Sequence, residues 1–151
     1  MKQDSIIGKY EYLQHPADLK IKATGDNLEE ALANIIIALT ATRDDSELIQ
    51  SIQKQKTQNI TIKITSRRLT SLVFDLCQQY LECLEVKRLL PINFSSTKIK
   101  KGKSGFTLEG NFICVQLTNE QVDNQIKAPT YHEMKIESVH SKTQVTIVLD
   151  I

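Results

Sequence analysis

Three short segments of the sequence carry side chains that could bind a metal ion or transfer protons. The first is a His-Pro-Ala-Asp segment, in which a rigid proline separates the imidazole of His15 from the carboxylate of Asp18. Taken alone, it is typical of a surface turn, because Pro and Asp are common turn residues. The second, Ile-Lys-Ala-Pro-Thr-Tyr-His, places Lys127 and His132 around a proline at the start of a predicted strand. Its simplest interpretation is a loop that enters a hairpin.

The third segment is the end of the chain, where the apolar strand pattern Thr-Ile-Val-Leu-Asp-Ile runs to the last residue. Most chain ends fray, so an apolar end predicts a terminus that is tied down in the fold. The carboxylate of Asp150 and the α-carboxylate of Ile151 then lie together at a strand end. Neighbouring anions repel each other unless a cation joins them, as in sites that bind hard metal ions through oxygen.

The shared acidity of Asp18 and Asp150 predicts that these residues meet, with the last strand beside the segment that joins the first two strands. Calcium or magnesium is the expected ion, because carboxylate and carbonyl oxygens suit hard cations. Zinc is not expected, since neither a Cys nor a pair of His lies in these motifs and His and Cys do not cluster at zinc spacing.

Familiar catalytic motifs are missing from the sequence. The Gly-rich stretch at 102–105 lacks the spacing of a nucleotide-binding loop. Neither the nucleophile elbow of a serine hydrolase nor the His-Glu-x-x-His helix of a zinc protease occurs. The four lysines at 98–103 are interpreted as a solvated turn. With so few candidate acids, bases and nucleophiles, we do not expect a stand-alone enzyme.

Composition predicts one cytoplasmic domain that covers residues 1–151. The chain has 19 Lys and Arg against 18 Asp and Glu, which argues against extensive binding along a phosphate backbone. An odd number of cysteines (three) argues against a disulfide framework and suits a reducing compartment. No stretch has the apolar length of a signal peptide or a membrane span.

The predicted elements place the three segments at the ends of strands. Leu19, Ile21 and Ala23 alternate with polar residues and form the buried side of a strand. Apolar residues at spacings of three and four predict helices at 28–40 and 69–84. The fold class is therefore α+β, a two-layer domain with two amphipathic helices packed on a mostly antiparallel or mixed β-sheet. Further strands are predicted at 9–14, 58–65, 92–100, 106–116, 131–139 and 145–149, and a polar loop at 42–56 with one helical turn at 46–52.

Four pieces of the sequence occur together in an informative order. They are Tyr-Glu-Tyr-Leu-Gln-His-Pro-Ala-Asp at 10–18, Gly25 before a Leu-Glu-Glu-Ala helix start, the segment at 126–132, and Val-Leu-Asp-Ile at 148–151. This combination resembles the archease family over essentially the whole chain. Each piece alone is weak, but four at matching spacing that end on the last residue are specific. The chain departs from the family pattern at Lys20, where the family usually has Gly.

The resemblance implies an accessory protein that activates an RtcB-type tRNA-splicing RNA ligase, promoting its guanylylation and its multiple turnover. It implies a compact α+β fold, contact with RNA only through the ligase, and a bound Ca²⁺ (or Mg²⁺). By position, Asp18, Asp150 and Ile151 are the implied metal ligands. His15, Lys127 and His132 match other motif positions and are assigned to the rim of the site or to the groups around the ligands.

Two other functions remain open on the sequence. A small metal-dependent hydrolase that acts on RNA or nucleotides could hold its cation with Asp18 and Asp150 and use His15 or His132 as a base. Hydrolytic two-metal sites usually assemble more carboxylates than this region supplies. The other alternative is a chaperone-like binding module with a structural metal.

Overall fold

The computed structural model describes residues 9–43, 50, 53–121 and 124–151. The helical turn expected at 46–52 falls largely outside these residues. A π-helical turn, Cys83–Lys87, follows the second helix, and a 3₁₀ turn, Asn119–Gln121, follows the fifth strand. Within these ranges, the strands and the two long helices are, in chain order, β1 (Tyr10–Leu13), β2 (Asp18–Gly25), α1 (Leu28–Ala41), β3 (Gln58–Ser66), α2 (Leu69–Glu82), β4 (Leu89–Gly102), β5 (Gly105–Gln116), β6 (Ala128–Val139) and β7 (Lys142–Asp150).

The strands form two sheets, one with the order β1-β2-β7-β6 and one with the order β3-β5-β4. All strand pairings among the described residues are antiparallel. The expected α+β class is confirmed, but the strands divide between two sheets. Each sheet is built on one hairpin with a short connection. In the β4–β5 hairpin, β5 also pairs with β3, and in the β6–β7 hairpin, β7 also pairs with β2.

Helix α1 begins where the sequence supplies a cap. The backbone N–H of Glu30 donates to the Asn27 side chain at 2.8 Å, and two glutamates lie in the first turn, near the positive end of the helix dipole. The face at spacings of three and four is fully buried, as Leu32, Ile35 and Leu39 show. Helix α1 packs on β2 and β4, and α2 packs on β3 and β6.

The core holds both helices against the sheets through apolar packing and a few buried polar contacts. The hydroxyls of Thr40 and Tyr80 lie 2.9 Å apart, and the Thr40 hydroxyl also donates to the carbonyl of Pro91, so that α1, α2 and β4 are joined. All three cysteines are buried and free. No helix in the described ranges has both the length and the apolar character needed to cross a membrane.

Strand β2 is the element that connects this core to the candidate site. Ile21 and Ala23 are fully buried among the core residues, in agreement with the predicted alternation. Side chains alternate between the two faces of a strand, so Asp18 and Lys20 lie on the face away from these residues. The polar face of β2 therefore presents charged groups at the end of the strand where β1 enters.

Candidate functional site

Asp18 and Asp150 are directly opposite each other in the pairing of β2 with β7. Opposite residues of antiparallel strands project to the same face with Cβ atoms about 4.5–5.5 Å apart. The predicted meeting of the last strand with the first hairpin is therefore confirmed. The Asp18 side chain is 26% exposed, and Asp150 and Ile151 are exposed, so this acidic pair faces solvent.

The turn between β1 and β2 brings His15 against Asp18. Ala17 has a φ of 63°, a left-handed conformation that is uncommon for a residue with a side chain, and the N–H of Asp18 donates to the carbonyl of His15 at 3.3 Å. As a result His15 Nδ1 lies 3.1 Å from Asp18 Oδ2. The same turn lines an open surface depression formed by Leu13, Gln14, His15, Pro16 and Asp18.

Lys127 holds the end of β7 through its backbone. Its N–H donates to the carbonyl of Asp150 at 2.7 Å, and the next residue, Ala128, pairs with Asp150 in the sheet. Asp150 is thus fixed from one side by β2 and from the other by the start of β6. The structure gives Lys127 a main-chain contact with the acidic pair, where the sequence suggested only a place on the rim.

An irregularity in β6 places two further polar side chains beside this pair. Pairing with β7 runs to Thr130 opposite Val148 and resumes at Lys135 opposite Thr146, so residues 131–134 face a single residue of β7. In a regular strand, neighbouring side chains point to opposite faces. Here Glu133 has a φ of 53°, and its Oε2 lies 2.9 Å from Nε2 of the preceding residue, His132. The bulge therefore brings the side chains of His132 and Glu133 to the same face of the sheet, in contact with each other.

Glu133 connects the bulge to the first hairpin. Its Oε1 accepts a hydrogen bond from Lys20 Nζ at 2.7 Å, and its Oε2 lies 3.0 Å from His15 Nε2. The Lys20 ammonium, followed by the His15 imidazole, holds the pKa of the Glu133 carboxyl at about 2, well below its ordinary value of 4.5. Sequence reasoning missed Glu133, because the only indication was its position next to His132.

The two histidines of the motifs form a pair in space. The ring centroids of His15 and His132 are 5.8 Å apart, with the rings inclined by 71°. The expectation that the motifs contain no His pair was therefore wrong. It counted neighbours along the chain, whereas the β1–β2 turn and the β6 bulge supply one His each.

The bulge is anchored on the second helix by an aromatic contact. The rings of Tyr131 and Phe74 stack with centroids 4.3 Å apart and an angle of 4° between their planes. Phe74 lies on α2 and Tyr131 immediately precedes His132, so the stack fixes the chain next to the polar cluster. Tyr131 is still 53% exposed, so its ring lies at the surface beside the polar cluster.

The pieces of the site come from the first hairpin, the β6 bulge and the end of β7, which are the positions of the three sequence segments. The sequence profile of the Archease protein family matches residues 10–151 and so covers all of them. This chain belongs to the archease family. The resemblance drawn from the four sequence pieces is confirmed.

Individual archeases are similar to this chain along nearly its full length. Protein archease of Pyrococcus abyssi is 28% identical over 134 residues, which are 87% of this chain and 89% of that protein. The archease of Sulfurisphaera tokodaii is 28% identical over 145 residues, covering 95% and 99%. An archease-like protein of Dictyostelium discoideum is 27% identical and covers 96% and 95%.

Solved archease structures share the fold. The solution structure of protein 1598 from Methanobacterium thermoautotrophicum has a TM-score of 0.73 and 22% identity, and covers 95% of this chain and 99% of that one. The crystal structure of a Thermotoga maritima archease, described as a possible chaperone, has a TM-score of 0.52 and 18% identity, covering 92% and 94%. At such identities the likeness concerns the fold alone.

Proposed function

We propose that this archease is an accessory protein that binds a divalent cation with Asp18, Asp150 and Ile151 and activates an RtcB-type tRNA-splicing RNA ligase in the cytoplasm. The observation that carries the metal assignment is the direct cross-strand pairing of Asp18 with Asp150 at a solvent-exposed end of two inner strands. The ligase assignment is supported by membership of the archease family and by the position of the motif residues on one surface.

The donor set fits a hard cation. Two side-chain carboxylates and the α-carboxylate of Ile151 offer only oxygen, which Ca²⁺ and Mg²⁺ prefer. These three groups carry more negative charge than one divalent ion neutralises. Calcium takes about 6–8 oxygens in flexible geometry, so water or a group of the ligase would complete the coordination. A bound ion would supply positive charge at an exposed surface where the protein meets its partner.

Residues of this chain would prepare the site for that ion. The N–H of Lys127 holds the carbonyl of Asp150 at 2.7 Å, which fixes the backbone before the terminal residue. His15 lies against Asp18 Oδ2 at 3.1 Å and so limits the orientations of that carboxylate. Guanylylation and repeated turnover would be carried out by the ligase, and this chain would act by binding to it.

A ligation assay with the purified cognate ligase tests this proposal. Replacing even the groups around a metal ligand costs about 10–100-fold in affinity. We therefore expect Asp18→Asn and Asp150→Asn to reduce stimulation of ligation roughly tenfold or more. Melting temperatures measured with a chelator present should remain near that of wild type.

Asp26→Asn is the matched control. Asp26 follows the far end of β2 and pairs with Lys142, so its loss removes a carboxylate without touching the proposed site. Stimulation that falls only as far as the folded fraction in Asp18→Asn would contradict the proposal and assign the ion to holding the chain end. RNA cleavage by the archease alone, with divalent cations and no ligase, would favour the hydrolase instead.

The chain end allows a second, gentler test. Adding one Gly after Ile151 moves the terminal carboxylate and leaves every side chain in place. The extended protein should stay folded and lose calcium affinity, measured by calorimetry. An extended protein that stimulates ligation fully would show that this carboxylate is dispensable.

The chaperone-like binding module is the second candidate, because the Thermotoga maritima relative is described as a possible chaperone. The range of proteins that it binds distinguishes a chaperone from a ligase activator. A chaperone would suppress aggregation of unrelated unfolded proteins, whereas an accessory protein of one ligase would not.

A further inference from the structure

Three nitrogen and oxygen ligand atoms converge beside the acidic pair. One ring nitrogen of His15, one ring nitrogen of His132 and a carboxylate oxygen of Glu133 all lie within 4.8 Å of one another. Glu133 Oε2 is 3.0 Å from His15 Nε2 and 2.9 Å from His132 Nε2. Zinc bonds of about 2.0–2.1 Å in tetrahedral geometry place neighbouring ligand atoms roughly 3.3 Å apart. The two separations from Glu133 Oε2 are therefore close to those that one zinc ion requires, and small side-chain rotations would bring the two imidazoles to the same spacing.

The geometry points to a second metal site, formed by His15, His132 and Glu133, that binds a divalent transition metal such as zinc. It differs from the proposed calcium site in its donors. Imidazole nitrogen suits zinc, copper, iron and nickel, whereas carboxylate and carbonyl oxygen suit calcium and magnesium. The site extends the proposed function and does not depend on it.

The groups around the three ligands hold them in binding orientations. A carboxylate can only accept, so in the metal-free protein His15 Nε2 donates to Glu133 Oε2 at 3.0 Å, and a metal would displace this proton. His15 Nδ1 lies 3.1 Å from Asp18 Oδ2, and this carboxylate would then favour a proton on Nδ1 and a lone pair on Nε2 for the metal. The contact is poorly aligned for a hydrogen bond, so its effect is electrostatic. Lys20 Nζ donates a hydrogen bond to Glu133 Oε1 at 2.7 Å, and the other oxygen, Oε2, faces the two imidazole rings.

Access and charge are compatible with a bound ion. His132 is 64% and Glu133 39% exposed at the side chain, against 17% for His15, so one side of the cluster is open for water as the fourth ligand. The Lys20 ammonium opposes a cation. The carboxylate of Asp18, against His15, offsets this repulsion.

The backbone of β6 is shaped for this convergence. The irregular pairing between Thr130 and Lys135 and the left-handed φ of Glu133 bring two successive side chains together. Bulges of this kind often re-aim side chains at functional sites. A network of ion pairs without metal would use the same contacts, so direct metal titration must separate the two.

Cobalt(II) is the probe, because its visible absorption reports coordination in a zinc-type site. We expect the chelator-treated full chain to bind one Co²⁺ with the bands of a four-coordinate nitrogen and oxygen site, and added Zn²⁺ to displace it. Calcium should neither produce nor displace the bands. His132→Ala and Glu133→Gln should each weaken Co²⁺ binding at least tenfold.

Two controls define the site. His140→Ala removes the remaining histidine, which lies exposed in the β6–β7 turn, and should leave Co²⁺ binding unchanged. Asp150→Asn should also keep Co²⁺ binding while it loses calcium, so failure of one site is separable from failure of the other. Glu133→Gln preserves side-chain shape, and its melting temperature checks folding.

Three results would overturn the inference. They are a titration without saturable bands, variants of His132 and Glu133 that bind as well as wild type, and bands of thiolate coordination. The last would assign the metal to the cysteines, all of which are buried in the folded protein.

Discussion

Glu133 contacts three basic side chains: Lys20 and His15 of the first hairpin, and His132, which directly precedes it in the chain. The hydrogen bond from Lys20, followed by that from His15, holds the pKa of the Glu133 carboxyl at about 2 in the folded protein, against an ordinary value of 4.5. A carboxyl whose pKa is lowered by folding stabilises the protein when ionised, and this stabilisation is lost as the pH falls through the folded pKa.

The acid stability of the metal-free protein should therefore change in Glu133→Gln. The melting temperature of wild type should exceed that of the variant above about pH 4.5, and the difference should shrink as the pH falls towards about 2. Thermal melting at a series of pH values measures this. Glu109→Gln, which removes an exposed partner of Lys63, is the control, and an equal loss there would argue that the Glu133 contacts have no special effect.

At the scale of elements, the junction of β2 with α1 leaves no space for a side chain at Gly25. A Cβ there would lie 2.4 Å from the backbone nitrogen of Ala31 and 2.8 Å from the backbone carbon of Glu30. The atoms that would have to move are helix backbone, so the start of α1 must shift away from β2.

We expect Gly25→Ala to lower the free energy of unfolding by about 1–3 kcal/mol, the usual cost of overpacking. Gly102→Ala is the matched control, because the nearest atom to a Cβ at that position is the carbonyl oxygen of Gly105 at 3.9 Å. Its effect should stay within about 0.5 kcal/mol. Urea denaturation of both variants measures the difference, and equal stabilities would mean that the junction is loosely packed.

Elements with a clear period could be predicted from the sequence, and the irregular ones could not. The alternation at Leu19, Ile21 and Ala23 predicted β2, and the opposition of Asp18 and Asp150 followed from acidic residues at two strand ends. The place of Glu133 could not be predicted, because a bulge interrupts the period that sequence reasoning uses. The division into two sheets also escaped prediction, since alternation identifies strands but not their partners.

At the scale of the whole molecule, all three cysteines lie in the core. Burial raises the pKa of the Cys77 thiol to about 12, so at neutral pH it is the weakly nucleophilic neutral form and is also shielded from reagents. Thiol labelling therefore reports opening of the whole fold.

We expect none of the three cysteines to react rapidly with an alkylating reagent at neutral pH, and all three to react in denaturant. Mass spectrometry of the alkylated protein counts the modified thiols. Fast modification of Cys77 under native conditions would show that α2 separates from the sheets without global unfolding.

The last strand lies inside a sheet, between the first hairpin and β6. During synthesis the first hairpin leaves the ribosome early, yet the edge of β2 stays unpaired until β7 has been made. Non-local pairing of this kind is slow and leaves an open strand edge that can join other chains. The nascent chain therefore keeps this edge open until β7 has left the ribosome, and the pairing that completes the sheet is the one that brings Asp150 to Asp18. The acidic pair thus forms only in a chain that has closed its sheet.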